Sequence, residues 1–530
     1  MSRILILLTC ILTTLSSSVF AQTDENSFNI QALKINRVLF YIDQLYVDSI
    51  NTEATVEVGI KKMLEYLDPH SSYISAKDVQ AITEQLDGEF EGIGIQYSIY
   101  KDTLLIVGTI PGGPSDKAGL RAGDRILSVN GENITNIELT DIGVTSRLKG
   151  EKNSKVNLKI KRKNNLLDFR ITRDIIPITS IDAAYRVDEK TCFMRINRFS
   201  KTTYDEFIQK IDELGEAENI IIDLRGNVGG YLEIATKILG EMLTEGKLLV
   251  YTEGLHSKKK EYRVEADDGK LLKSKIVVLI DEGTASASEI VSGALQDWDR
   301  AVIIGRRSFG KGLVQNAYLL PDGSVIRLTT SKYYTPSGRL IQKPYKGIKA
   351  KYRDDVNNRY KSGELSDIHN FQIDSTKEYK TLESKRLVYG GGGILPDIFI
   401  PLDTSSYSNF YRETLNKGII NDYVIEFVDN NRDNILNKYK NSSNYIDNYI
   451  ITNIFFDKFV EYARKHNTKC TESDYNTSNK ELKVLLKALI ARDIWDTSAY
   501  FKILNTTSHE FNKALEILNN NRYSQLLYPN

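Results

Sequence analysis

Four short, largely apolar runs mark the middle of this chain: Cys192–Ile196, Ile220–Leu224, Ile276–Ile280 and Ala301–Ile304. Each is too short for a helix of its own. A strand with one wet face alternates apolar and polar residues; runs this continuous predict strands buried on both faces. Helical patterns fill the gaps around Thr203–Leu214 and Tyr231–Leu243. Strands alternating with helices in this way predict an α/β core on a mostly parallel sheet, over residues 177–401. At 530 residues the chain is too long for one core, and three or four domains are expected.

The third run leads straight into Gly283-Thr284-Ala285-Ser286-Ala287-Ser288, and a helical pattern follows from Glu289 to Gln296. Strand, tight turn and helix N-terminus place a serine where backbone N–H groups point outward, as an oxyanion site requires. Lys311 follows after the fourth strand, within Phe309-Gly310-Lys311-Gly312. A serine hydroxyl needs a base. A lysine serves as one when burial lowers its pKa by several units from the reference of ~10.4. The same turn also fits an ordinary N-cap, with Thr284 or Ser286 capping Ala287 onward. Gly305–Gly312 nearly spells the phosphate-binding loop G-x-x-x-x-G-K-[ST], but Gly312 replaces the magnesium-binding hydroxyl and β-like sequence follows where a helix is required. The nucleotide reading fails. The five histidines are scattered without metal-ligand spacing, which argues against a metal site and weakens a Ser-His-Asp triad. No cofactor is expected.

Several blocks together carry a resemblance. Gly283 to Gln315, GTASASEIVSGALQDWDRAVIIGRRSFGKGLVQ, resembles the catalytic signature of the carboxyl-terminal processing peptidases, or tail-specific proteases. Ile221-Ile222-Asp223-Leu224-Arg225-Gly226-Asn227-Val228-Gly229-Gly230 resembles that family's strand-plus-glycine turn, and Lys332–Arg339 and Gly390–Asp397 are similar to two further blocks. The resemblance implies a crotonase-like α/β core with an inserted PDZ domain and helical N- and C-terminal regions. It implies a serine endopeptidase with Ser286 as nucleophile, Lys311 as general base and Gln315 orienting the lysine amine. The N–H groups of Ala287 and of Gly229 or Gly230 are the implied oxyanion donors. Ser288 fits packing or capping better than attack, and Asp223 and Arg225 fit shaping the turn.

Residues 87–176 carry Gly92-Ile93-Gly94-Ile95, then Pro111–Leu120 and Gly123–Gly131, and resemble a PDZ domain. Such domains capture peptide tails by adding a strand to a sheet edge. Glycine N–H groups can approach a terminal carboxylate closely, so Gly92, Ile93, Gly94 and Ile95 are the expected carboxylate loop. Substrates are then proteins or peptides with exposed C-termini. An adaptor lipoprotein and a homo-oligomer are compatible with the family.

Residues 1–21 read as a secretory signal, with Arg3, the apolar stretch Ile4–Leu15 and the cleavage site Val19-Phe20-Ala21. A lipoprotein anchor at Cys10 is the weaker alternative. No later segment reaches the ~18 apolar residues of a membrane span, so the expected location is periplasmic. Cys192 and Cys470 are expected as buried free thiols, with one disulfide between them the alternative. Lys+Arg and Asp+Glu number 70 each, which argues against a nucleic-acid partner. Residues 22–86 show a helical stripe expected to pack in a core. Ser257–Glu261 reads as a solvated loop, and residues 402–530 keep helical stripes that predict a C-terminal helical domain. The rivals are a catalytically inactive exported PDZ scaffold or chaperone, and an acyl-transferring hydrolase on a crotonase-like fold.

Overall fold

The structure, a computed structural model, describes residues 27–345, 352, 354–371, 374–520 and 522–529. The expected export signal at 1–21, with Cys10, lies outside them. The chain divides into two compact units, Met1–Val79 with Gln315–Thr329, and Gln80–Val314 with Thr330–Asn530.

In the smaller unit residues 27–45 are helical, and a second helix, Thr52–Leu67, begins where the Asn51 side chain accepts from Ala54 N (3.0 Å). Asp68-Pro69 ends it, and Ser72–Ile74 pairs antiparallel with Val325–Arg327. The apolar positions Leu33, Val38 and Leu45 are exposed, so the core packing expected of this stripe is not met.

The larger unit is built on a six-stranded sheet in chain order: β1 (Ile181–Arg186), β2 (Thr191–Ile196), β3 (Asn219–Asp223), β4 (Lys275–Ile280), β5 (Ala301–Gly305) and β6 (Ile398–Phe399). β1 is antiparallel to β2 and every other pairing is parallel. Alternate residues explain why the runs are apolar throughout. Met194, Ile222, Val278 and Ile303 face one side, where α1 (Thr203–Leu214), α2 (Leu232–Gly240) and α3 (Ala287–Asp297) cover them. Phe193, Ile221, Val277, Leu279 and Val302 face the other side. That second face is covered by the far C-terminus: α5 (His509–Leu518) packs Phe511, Ala514 and Ile517 against it, and Tyr523 follows. Between core and α5, α4 (Ile419–Lys438) and its neighbouring helices from Asn409 to Asn505 share a separate apolar core. The C-terminal region is helical, as expected.

Strands Ile95–Tyr100, Thr103–Thr109, Arg125–Val129, Lys155–Arg162 and Asn165–Thr172 make an antiparallel sheet around Ile106, Ile126, Val144 and Leu158. Its entry and exit, Glu89–Gly92 and Asp174–Pro177, pair with each other. α4 presents Glu426, Asp429 and Asp433 to Lys101 (3.1 Å), Arg125 (2.6 Å) and Lys163 (2.9 Å) of this module. The charged run at Ser257–Glu261 is not a loop. It lies in the exposed strand Ser257–Arg263, paired antiparallel with Leu248–Gly254.

Candidate active site

β4 carries apolar sequence to Ile280, and Asp281 then turns the chain. Its backbone N–H donates to Thr284 Oγ1 (2.9 Å), and its Oδ1 accepts from Gly226 N (2.8 Å) and Gly283 N (3.0 Å). Ser286 stands immediately before α3 with φ 57° and ψ −117°. Residues other than glycine avoid that region, and strain of this kind persists only where the surroundings over-determine it.

They do so here through one buried carboxylate. Glu289, in the first turn of α3 and 0 % exposed, accepts from Ser286 N (2.8 Å) and Lys311 N (2.9 Å) on the same oxygen, Oε2. The two backbone nitrogens are therefore no farther apart than two hydrogen-bond lengths. Oε1 accepts from Gly310 N (2.7 Å) and Ser308 Oγ (2.5 Å). Burial pushes this carboxyl up from its ordinary range, against the pull of those donors. On the carbonyl side, the buried Tyr333 hydroxyl reaches both Ser286 O (3.1 Å) and Lys311 O. Neither Glu289 nor Tyr333 was singled out from sequence. The spacing Ser286-x-x-Glu289, the pattern of a capping box, was the available signal for the first.

The loop after β5 is led back to the serine turn by its own backbone: Phe309 N donates to Thr284 O (2.9 Å). Behind it, Ser308 N bonds Ile394 O (3.0 Å), and Arg307 and Arg359 share the Glu364 carboxylate. On the other flank, Asn227 anchors the glycine turn. Its carbonyl accepts from Ala285 N (2.9 Å) and Ser288 Oγ (3.0 Å), so Ser288 is spent on packing the turn. A Cβ on Gly229, at φ +100°, would lie 2.7 Å from Ser286 Cβ and 2.9 Å from Ala287 N. The Gly229 N–H is donated to Asn227 Oδ1 (2.8 Å). At Gly230, the bonds from Phe199 N to Gly229 O (3.0 Å) and from Tyr231 N to Phe199 O (2.8 Å) both run toward Phe199. In a parallel bridge the central residue's own N–H points the opposite way. Asp223 and Arg225 pair through two bonds (2.9 and 2.8 Å) at the start of this turn.

Gln315 belongs to the smaller unit, where its Nε2 donates to Thr329 Oγ1 (3.2 Å) and that hydroxyl donates to Asp68 Oδ1 (3.2 Å). Of the expected tail-binding loop, Gly92 ends the strand Glu89–Gly92 and Ile93 is buried. Ile93 O accepts from Ser115 N, Gly94 O accepts from Ile110 N (both 3.0 Å), and Ile95 opens the strand at one end of the module's sheet. Cys192 and Cys470 are both free, Cys192 buried as expected and Cys470 only half-buried. Among the described residues no group of three or more His, Cys, Asp or Glu could hold a metal ion, and no helix is long and apolar enough to cross a membrane.

Comparison with known proteins places the chain in a family. A sequence model of peptidase family S41 matches residues 190–353, and a PDZ-domain model matches residues 105–162. Carboxy-terminal processing protease CtpA of Bacillus subtilis (strain 168) is 32% identical over 364 residues, covering 66% of this chain and 77% of that one. The chain belongs to the carboxy-terminal processing proteases of family S41. The carboxy-terminal-processing protease of Bartonella bacilliformis is 34% identical over 346 residues, 64% of this chain and 78% of that one. A solved photosystem II D1 C-terminal processing protease is 28% identical over 58% of this chain and 82% of its own, with a TM-score of 0.33. As a member of this family the protein is a serine-type peptidase with a PDZ domain. Residues 410–496 match a family of unknown function.

Proposed function

We propose that this S41 peptidase is an exported endopeptidase that cleaves proteins captured by their C-terminal tails, with Ser286 as nucleophile and Lys311 as general base. The observation that carries the reading is the Glu289 carboxylate, which holds the backbones of a strained serine and of the lysine on one oxygen. Ser286 Oγ attacks the scissile carbonyl while neutral Lys311 Nζ takes its proton. The resulting ammonium returns that proton to the leaving amine, and a water activated by the same amine releases the acyl group. The developing oxyanion is assigned to the N–H groups of Ala287 and Gly230, since that of Gly229 is engaged by Asn227. Loss of one such donor costs ~10²–10³ in rate.

Tail capture is assigned to the loop Gly92–Ile95 and the adjoining strand at the end of its sheet, where an extended peptide can add. Export rests on the n-region, apolar stretch and cleavage site within residues 1–21. Ser286→Ala and Lys311→Ala are each expected to abolish cleavage of a tailed peptide while leaving the melting temperature near wild type. Amidation of the substrate's C-terminus is expected to weaken cleavage by the intact enzyme. Full activity in either folded variant removes the dyad, and indifference to amidation removes tail capture.

A further inference from the structure

Three loops carry the chemistry proposed above, and each leaves the C-terminal end of a neighbouring parallel strand. The glycine turn follows β3, the serine turn follows β4 and the lysine loop follows β5. One carboxylate reaches the roots of two of them directly. Glu510, in the first turn of α5, accepts from Arg225 Nη1 (3.0 Å) on Oε2 and from Arg306 Nη1 (2.9 Å) on Oε1. Arg225 immediately precedes Gly226, and Arg306 opens the segment that ends at Lys311. The third loop is joined through Arg306 Nε, which donates to Glu282 Oε2 (2.8 Å), four residues before Ser286. Ser508 Oγ, at the N-cap of α5, accepts from Arg225 Nη1 (3.0 Å) and donates to Glu510 (3.1 Å).

These groups are out of the solvent: the side chains of Glu510, Arg225 and Arg306 are 12, 17 and 7% exposed. Burial raises the Glu510 carboxyl, but Arg225 and Arg306 more than offset it and hold it below its ordinary range. Anchoring α5 needs none of this, because Phe511, Ala514 and Ile517 already seat the helix on the sheet. Buried ion pairs on average add little to stability over apolar packing, and their best-attested use is to fix geometry. α5 also lies beyond both the S41 match, which ends at 353, and the match ending at 496.

We infer that Glu510 is a positioning residue for the peptidase reaction: the C-terminal helix supplies the charge that sets the spacing between the glycine turn and the lysine loop. The inference rests on the assignment of Ser286 and Lys311 above. A misplacement of about 1 Å between reacting groups can cost ~10²-fold in rate, so Glu510→Gln is expected to lower kcat by about tenfold to a hundredfold. KM should change by less than about twofold, because substrate-binding surfaces are untouched.

The test measures kcat, KM and the rate of Ser286 labelling by a fluorophosphonate, in the full chain, for Glu510→Gln and for Ile517→Val. The second variant loosens the same helix on the sheet without touching its charges. A fall in kcat and in labelling for Glu510→Gln, absent in Ile517→Val at a matched or larger loss of melting temperature, supports positioning. Wild-type kcat in folded Glu510→Gln overturns it, as does a kcat that tracks melting temperature equally in both. Should Glu510→Gln fail to fold, Glu510→Asp carries the same comparison, because it keeps the charge and withdraws it by one methylene. If Ser286→Ala or Lys311→Ala is active the dyad falls. If both are dead and the Glu510 variants are fully active, only this inference falls.

Discussion

Replacing Glu289 by glutamine isolates the contact that holds the backbones of Ser286 and Lys311 on one oxygen. The carboxylate accepts from four donors, two on each oxygen, in a position with no exposure to water. An amide keeps one acceptor oxygen and turns the other into a donor. With the NH2 turned toward Ser286 and Lys311, two buried N–H groups lose their acceptor, at about 2–6 kcal/mol. With it turned toward Ser308 and Gly310, the Ser308 hydroxyl gives up its donation but can rotate to accept from the amide, so the uncompensated loss is the Gly310 N–H, at about 1–3 kcal/mol. The second orientation wins. Part of its penalty is returned, because a neutral amide escapes the burial of charge that pushes this carboxyl up.

The net stability loss should therefore be small, about 1 kcal/mol, against the 5–15 kcal/mol typical of a domain, and the variant should stay folded. Activity should suffer more. A neutral oxygen holds the Ser286 and Lys311 N–H groups about half as strongly as a charged one, and the clashing donors at Gly310 push on the lysine loop. A fall in kcat of about tenfold to a hundredfold is expected at temperatures well below the melting transition. The assay is kcat and KM on a fluorogenic tailed peptide, with stability read from urea unfolding of the same preparation. Wild-type kcat with an unchanged unfolding midpoint would refute the reasoning, since it would mean that neither backbone depends on that oxygen.

Gly229→Ala places a methyl 2.7 Å from Ser286 Cβ at a φ of +100°, so it should abolish peptide cleavage and lower the melting temperature, whereas Gly112→Ala, also at positive φ but in open space, should leave cleavage unchanged. Asp223 is held at about 2, burial raising it but Arg225 and Arg195 lowering it further. A carboxyl held below its unfolded value stabilises above that value and loses the contribution as pH falls toward about 2. Asp223→Asn should therefore flatten the acid limb of the stability–pH curve below about pH 4, with on the order of 2 kcal/mol lost near neutrality, read by urea unfolding at several pH values.

The strands of the sheet were legible because burial on both faces leaves a local mark, a run such as Ile276–Ile280 with no polar interruption. The turn at Ser286 was legible for the same reason, since strand, small residues and helix follow one another along the chain. What escaped depends on distant partners. Nothing near Tyr333 says that its hydroxyl meets Ser286 and Lys311, and nothing near Glu510 points to Arg225 and Arg306. The charged run from Ser257 misled because an exposed edge hairpin needs no apolar face of its own when Leu248–Gly254 carries the buried side. The stripe at Leu33 and Val38 misled in the opposite direction: helical periodicity fixes which residues share a face and leaves open what covers it.

The groups that hold the three loops are charged and buried, and the physics of positioning explains why. Apolar contact is non-directional and scales with area, so it can seat α5 on the sheet without fixing where a backbone N–H points. A carboxylate accepts along defined directions and takes several donors at once. Glu289 uses this to draw Ser286 and Lys311 to one oxygen, Asp223 to hold Arg225 at the head of the glycine turn, and Glu510 to draw Arg225 and Arg306 together. Each resides on a different element, so the three loops are fixed relative to α3, β3 and α5 and not merely to one another. Burying these charges sacrifices stability that apolar side chains would have supplied, and a serine at φ 57° adds to the deficit. A fold selected for stability alone would have placed apolar residues there. That the charges sit where the serine turn, the glycine turn and the lysine loop converge is what ties them to the chemistry proposed for Ser286 and Lys311.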